Sequence, residues 1–498
     1  MNKKSIKRYF VYTATTALLL SANPILSYAQ DNEPMPCGPL PNDIQLKMQD
    51  MDMYAFIHYS INTYTDQEWG FGNESARLFN PSNLDCRQWA RVCKQAGMKG
   101  IILTAKHHCG FCLWPSAYTE FSVKNSPWKD GKGDVVRELS EACKKEGLKF
   151  AVYLSPWDRN FAEYGRPEYI TYFRNQLTEL LTNYGDIFEI WFDGANGGDG
   201  WYGGANEKRS IGGNYYDWAG TYSLVRKLQP NIAVWGNRGK GYQADLRWVG
   251  TEAGFVGETN WCTMFKDGGG DLHYGAETGD CWCPGEVDVS IRPGWFYHTY
   301  EDDKVKDLSK LMDIYYKSVG RNATLLLNFP VMPNGRIHPT DSLNGKAMAD
   351  MVKRVFKDNL IRKAKITASN VRGKNKHYRA ENVKDDKATT YWATDDEVKS
   401  ASLTFEFAKP ASFNRFLAEE YIPLGQRVKK FQLEYEQNGE WVALKDKLVE
   451  KGDGLTTIGH RRIICFPTIT TTRLRFTITE SKACPLISKV GVYCSPED

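Results

Sequence analysis

The sequence has little net charge and no long apolar run, and each shortage excludes something. Its 64 lysines and arginines face 60 aspartates and glutamates, leaving +4 with histidine neutral. Lys3, Lys4, Lys7 and Arg8 supply that whole excess, because residues 1–29 carry no acidic side chain. Past residue 29 the chain is neutral, so it offers no electrostatic footprint for nucleic acid or an anionic membrane. The N-terminal apolar run, residues 13–20, is shorter than the roughly 20 residues a spanning helix needs. No cysteine stands near Ser27-Tyr28-Ala29, which speaks against a lipid anchor.

Those N-terminal features read instead as a signal peptide over 1–29, with a basic start, an apolar centre and a small-x-small cleavage site. The expected destination is periplasmic or secreted. All twelve cysteines follow it, some closely paired as in Cys109/Cys112 and Cys281/Cys283. An oxidising compartment permits bridges without fixing their connectivity. Cys86, Cys93 and Cys143 fall on apolar helix faces and read as buried small hydrophobes. Aromatic residues make up 13% of the chain, which suits a surface for stacking sugar rings as well as a core. At 498 residues the chain exceeds one ordinary core, so two or three domains are expected.

From about residue 45 one unit recurs: amphipathic helix, glycine, short apolar strand, polar loop. The spacing predicts strands at 55–59, 100–105, 150–154, 187–192, 232–235, 246–252 and 323–329. Helices are expected near 85–96, 134–147, 167–184, 215–229, 305–315 and 340–357. The strand within 253–300, rich in Gly, Trp and Cys, cannot be placed. Alternation of this kind over some 300 residues predicts a (β/α)8-type (TIM-like) barrel, an α/β fold. From Ala364 the segments turn short and alternating, as in an all-β sandwich. The expected division is signal peptide 1–29, catalytic barrel 30–358 and C-terminal sandwich 359–498.

In such a barrel the chemistry lies at the C-terminal ends of the strands. Those ends collect His58, Lys106-His107-His108, Trp157-Asp158, Asp193, Asn237-Arg238, Glu252 and Asn328. Two carboxylates, Asp193 and Glu252, among histidines and aromatic planes are what glycoside hydrolysis requires. One attacks or stabilises the anomeric carbon and the other protonates the leaving oxygen.

The motifs also resemble a known family. Phe56-Ile57-His58-Tyr59, Glu68-Trp69, Lys106-His107-His108-Cys109-Gly110-Phe111, Tyr153-Leu154-Ser155-Pro156, Trp191-Phe192-Asp193-Gly194-Ala195, Arg292-Pro293-Gly294-Trp295-Phe296 and Leu325-Leu326-Leu327-Asn328 look like the ordered barrel motifs of family 29 α-L-fucosidases. The resemblance implies a retaining mechanism with Asp193 as nucleophile. It also implies a fucose pocket containing His58, Glu68, Trp69, His107, His108, Tyr153 and Trp295. The stretch 247–254 looks like the acid/base loop of the branch that cleaves α-1,3/1,4-linked fucose from branched glycans, which implies Glu252, with Glu258 as the runner-up; that branch usually has Asn where Thr251 stands. The expected partner is a fucosylated oligosaccharide or glycan, with no cofactor. Ala380-Glu381-Asn382-Val383 and residues 389–394 resemble a discoidin-like (coagulation factor 5/8 C-terminal) module, which implies a brace for the barrel or a separate sugar-binding site.

Two rival readings come from other classes. His107-His108-Cys109 with Cys112 invites a zinc site and a metal-dependent hydrolase. Against it, export favours a disulfide or packing role for these thiols, and adjacent side chains on a strand end point to opposite faces, so no metal is expected. A non-catalytic glycan-binding barrel would usually lack one carboxylate, and here both are present.

Overall fold

The computed structural model describes residues 33–236, 238–239, 242–449 and 454–496; the expected signal segment 1–29 and Asn237 lie outside the described residues. Eight short strands form the barrel: β1 (Met53–Ile57), β2 (Gly100–Lys106), β3 (Lys149–Leu154), β4 (Ile187–Trp191), β5 (Ala233–Trp235), β6 (Arg247–Trp248), β7 (Gly285–Ser290) and β8 (Ala323–Asn328). They hydrogen-bond in the order β5-β4-β3-β2-β1-β8-β7-β6, every pair parallel. A lone parallel bridge, Trp235 to Leu246, joins β5 to the chain leading into β6 and nearly closes the ring. Every residue of β1 and β2 is buried, as expected for parallel strands covered on both faces.

The helices wrap the outside: α1 (Cys86–Gln95), α2 (Val135–Glu146), α3 (Pro167–Asn183), α4 (Trp218–Leu228), α5 (Leu308–Lys317) and α6 (Pro339–Val355). Their ends follow from local chemistry. Asp85 and Asp134 accept the backbone N–H of Gln88 and Arg137 as N-caps. Pro167 opens α3 at its first turn, where no N–H is needed.

One expectation needs correction and one gap is filled. The strand foreseen over 246–252 is only Arg247–Trp248, so Glu252 sits on a loop beyond it rather than at a strand end. The strand that could not be placed is β7. The other barrel strands lie within two residues of their expected positions. Cys86, Cys93 and Cys143 are buried, and all twelve cysteines are unbridged.

The C-terminal part is an antiparallel sheet built on β9 (Ala401–Glu420), β10 (Val428–Gln437), β11 (Arg462–Ser481) and β12 (Leu486–Tyr493). The β9–β11 register shifts between Glu406 and Ala411 and again between Phe413 and Arg415. The core of this part includes Trp392, Leu403, Phe416, Phe431 and Phe476. Polar contacts fix the sheet to the barrel. Arg461 Nη1 lies 2.7 Å from Asp52 Oδ1, and Gln426 accepts the Cys262 N–H at 2.8 Å. No helix among the described residues is long and apolar enough to cross a membrane.

Candidate active site

Strand alternation builds the site in columns. Tyr54-Phe56-His58, Glu189-Trp191-Asp193 and Glu286-Asp288-Ser290 take alternate positions on β1, β4 and β7 and the residues just past them, so each column faces inward and rises to the mouth. A cleft of about 270 Å³ opens there. Its lining includes Asp193, Glu252, His58, Glu68, Trp69, His107, His108, Tyr153 and Trp295, all nine residues singled out from the sequence. Phe56, Trp191, Gly194, Ala195 and Trp248, from stretches already quoted, also line it, with Trp235 and Asp288, to which no site role was assigned from the sequence.

Asp193 is held from two sides. Tyr153 donates to its Oδ2 at 3.0 Å, and the Ala195 N–H donates to Oδ1 at 2.7 Å. Glu252 lies exposed on the rim, where the Trp295 Nε1–H donates to it at 3.0 Å. One carboxylate is therefore held from two sides and partly buried in the cleft, and the other faces solvent at its rim. Glu258 lines a different cleft, with Lys310 and Arg321.

The histidines are neutral hydrogen-bonding groups. Asn328 donates through Nδ2 to Ser290 Oγ and the Trp295 carbonyl, so its Oδ1 accepts from His58 Nδ1 at 2.9 Å. His58 Nε2 is left as an acceptor. Burial brings the His58 pKa down to about 3, with the nearby His108 adding to the effect against the Asn328 bond. Ser155 Oγ donates to the Trp157 carbonyl and so accepts from His108 Nδ1 at 2.8 Å. This turns the His108 Nε2 lone pair toward Asp193 Oδ2, 3.7 Å away. A sugar hydroxyl between those two acceptors would satisfy one of them. Burial lowers the pKa of His108, partly offset by Asp193, and lowers that of His107 well below the usual range with help from His108 and His58.

His107 and His108 do not point to opposite faces. Both line the cleft, with ring centroids 4.2 Å apart. Side-chain direction therefore does not separate the two histidines, because the chain leaves strand geometry at Lys106. The thiols are engaged elsewhere. Cys109 donates to Asn62 Oδ1 at 3.2 Å and Cys112 to the Gly110 carbonyl at 3.7 Å. Among the described residues no three His, Cys, Asp or Glu side chains gather as a metal-holding group. Lys106 and Asp158, also collected from strand ends, pair at 3.0 Å outside the cleft, fully buried against Gln176.

Glu68 acts as a clamp. Its two oxygens accept the backbone N–H groups of Trp295 (2.9 Å) and Phe296 (3.0 Å), and His298 Nε2 lies 2.8 Å away. Gly294 permits this approach, since a Cβ there would stand 2.8 Å from Glu68 Oε1. Burial opposes a charge on His298, yet Asp66 and Glu68 raise its pKa above the ordinary value. Trp295 is thus held against His58, with centroids 5.1 Å apart, while the half-exposed Trp69 packs on His108 at 5.1 Å.

Beneath the cleft lies a buried carboxyl pair. Glu286 accepts from Trp191 Nε1 at 2.8 Å and from the Tyr54 hydroxyl, with Glu189 beside it. Burial, and for Glu189 the neighbouring Glu286 charge, pushes both carboxyls up.

A (β/α)8 barrel that sets two carboxylates among aromatic planes on its C-terminal rim is a glycoside hydrolase in architecture. The chain belongs to the α-L-fucosidases of glycoside hydrolase family 29: the Alpha-L-fucosidase family model matches residues 41–355, and the F5/8 type C domain model matches 365–490. Alpha-L-fucosidase 1 of Arabidopsis thaliana is 39% identical over 489 residues, spanning 95% of this chain and 92% of its own. A glycoside hydrolase 29 family member from an unknown rumen bacterium superimposes with a TM-score of 0.85 at 63% identity, over 93% of this chain and 78% of that one. A GH29 fucosidase of Ruminococcus gnavus, solved in complex with fucose, gives a TM-score of 0.83 at 31% identity, over 93% and 97% of the two chains.

Proposed function

We propose that this α-L-fucosidase is an exo-acting, retaining enzyme that releases terminal α-1,3/1,4-linked fucose from branched oligosaccharides or glycoconjugates. Asp193 attacks the anomeric carbon while Glu252 gives its proton to the departing glycosidic oxygen. Glu252 then takes a proton from water, the resulting hydroxide displaces Asp193, and fucose leaves with its configuration retained. His58, His107, His108, Glu68 and Tyr153 read the sugar's oxygens, and Trp69 and Trp295 cover its apolar edge.

The observation that carries this reading is the placement of Asp193 and Glu252 in one small cleft, each oriented by its own donor, Tyr153 and Trp295. A cleft of about 270 Å³ suits one ring, hence exo action. The linkage preference rests on the likeness of residues 247–254 to that branch. We further read residues 1–29 as an export signal, 30–358 as the catalytic part and 359–498 as a brace docked through Arg461 and Gln426.

The deciding experiment is fucose release from α-1,2-, α-1,3-, α-1,4- and α-1,6-linked substrates, with proton NMR of the first anomer formed. Initial α-fucose and turnover confined to α-1,3 and α-1,4 linkages are expected. Initial β-fucose would end the retaining assignment, and preferential α-1,2 or α-1,6 cleavage would end the linkage assignment.

A further inference from the structure

We propose that Asp288 is a substrate-contacting residue of this cleft, whose carboxylic acid donates a hydrogen bond from the floor to an oxygen of the bound fucose. The inference rests on the fucosidase reading above and adds a third carboxyl with a different task.

Asp288 stands midway along the inward column of β7, and its neighbours in that column are satisfied. Below it, Glu286 accepts from Trp191 Nε1 and the Tyr54 hydroxyl. Above it, Ser290 Oγ accepts from Asn328 Nδ2 and donates to the Gly294 carbonyl at 2.7 Å. Asp288 itself is 3% exposed, lines the cleft, and has in Oδ1 a buried oxygen with no hydrogen-bond partner. A buried polar atom left unmatched costs stability, so a carboxyl that carries one in the wall of a ligand cleft is best explained by the ligand.

Its protonation state follows from its surroundings. Burial first, then the charges of Glu252, Glu286 and Asp193, pushes the Asp288 carboxyl well above its ordinary range, against a bond from its own backbone N–H. Carboxyl groups crowded in one site do not all ionise together, and burial favours the proton on Asp288 over the more exposed Asp193 and Glu252. A neutral carboxylic acid is both donor and acceptor, so it can engage a sugar hydroxyl without repelling Asp193 or competing with it for the anomeric carbon. The same device, an acid kept neutral to donate, recurs in other enzymes.

The test compares Asp288→Asn with Asp288→Val in the full chain, reading L-fucose affinity by calorimetry, KM and kcat on an aryl α-L-fucoside, and the melting temperature. The amide keeps a donor and cannot ionise, so Asp288→Asn should hold fucose affinity within about threefold of the native protein. Asp288→Val is close in size but branches at Cβ and has no donor, and should bind fucose about tenfold more weakly, as expected for one neutral hydrogen bond. Its melting temperature should stay level or rise, because an unmatched buried polar atom has gone. Asp288→Val binding fucose as tightly as the native protein would overturn the contact. Asp288→Asn binding fucose about tenfold or more weakly than the native protein would overturn the neutral donor, and this arm stands even if the valine variant does not fold. Failure of the native protein to bind or release fucose would instead strike the reading on which the proposal rests.

Discussion

Replacing Glu252 with alanine separates chemistry from folding more cleanly than any other change at this site. The side chain is exposed and its hydrogen bond comes from Trp295 Nε1, so truncation leaves one N–H able to reach water. Surface truncations of this kind shift stability by only about 0.5 kcal/mol. A general acid, by contrast, is worth roughly 10²–10⁴ in rate, or about 2.7–5.4 kcal/mol of barrier. The full loss is expected on glycan linkages, whose leaving alcohol needs the proton. An aryl fucoside with a good leaving group needs little help in the first step, so its turnover should be limited by the second step, where water has lost its base. Azide needs no deprotonation and should restore turnover. It displaces Asp193 from the face water would use, giving α-L-fucosyl azide. The assay is aryl fucoside hydrolysis with and without azide, followed by NMR of the product. Absence of rescue, or the β-azide as product, would refute the assignment. Rescue in Glu258→Ala would move the role to the other loop; that variant, whose side chain lines a separate cleft, should stay within about threefold of native activity.

Other consequences are testable by similar means. Asp193→Ala should lower turnover by roughly 10⁴-fold or more without loss of fold, and any azide product should be the β anomer; substantial residual hydrolysis would remove Asp193 from the mechanism. Trp295→Phe keeps the ring but loses the N–H that aims Glu252, and about a tenfold fall in kcat on glycan substrates is expected, with fucose affinity little changed. Asp52→Asn should destabilise the protein by about 2–3 kcal/mol, less than for a fully buried pair because both side chains are about one-fifth exposed. Although burial opposes it, Arg461 with His460 and Lys99 holds the Asp52 carboxyl well below its ordinary value of 3.8. Its contribution is complete above that value and is lost as the pH falls below it, so native and variant denaturation midpoints should converge in strong acid. His58, His107 and His108 are all lowered from 6.5, so the folded state binds fewer protons than the unfolded chain and stability falls as the pH drops from about 6.5 toward 3. Calorimetry of His58→Gln should show a flatter slope across that window, and an unchanged slope would contradict the buried neutral imidazole.

What could be read from the sequence follows from how each element is buried. Strands β1 to β4 are apolar runs covered on both faces, and they stood out at once. Strand β7 did not, and the reason is chemical. Its inward positions carry Glu286, Asp288 and Ser290, so the run Gly285–Ser290 has no continuous apolar stretch to detect. The remaining signal was the alternation with Val287 and Val289, both buried, just ahead of the Arg292-Pro293-Gly294-Trp295 motif. A period of two with charged residues on one face ordinarily marks a strand half in water; here the charged face is the interior of the barrel. The same inversion hid Glu189 in β4, which passed as one polar residue in an apolar run although it is fully buried beside Glu286. Glu68, Trp69 and Trp295 come from loops, whose geometry depends on contacts such as the Glu68 clamp between residues over 220 positions apart, and no local pattern encodes these. They were found through the family motifs alone. Asp288 belongs to no quoted motif, and burial breaks the usual link between a carboxyl and the surface. The carboxyls hardest to see in this sequence are therefore those whose pKa burial in the barrel interior pushes up, and of these only Asp288 lines the cleft.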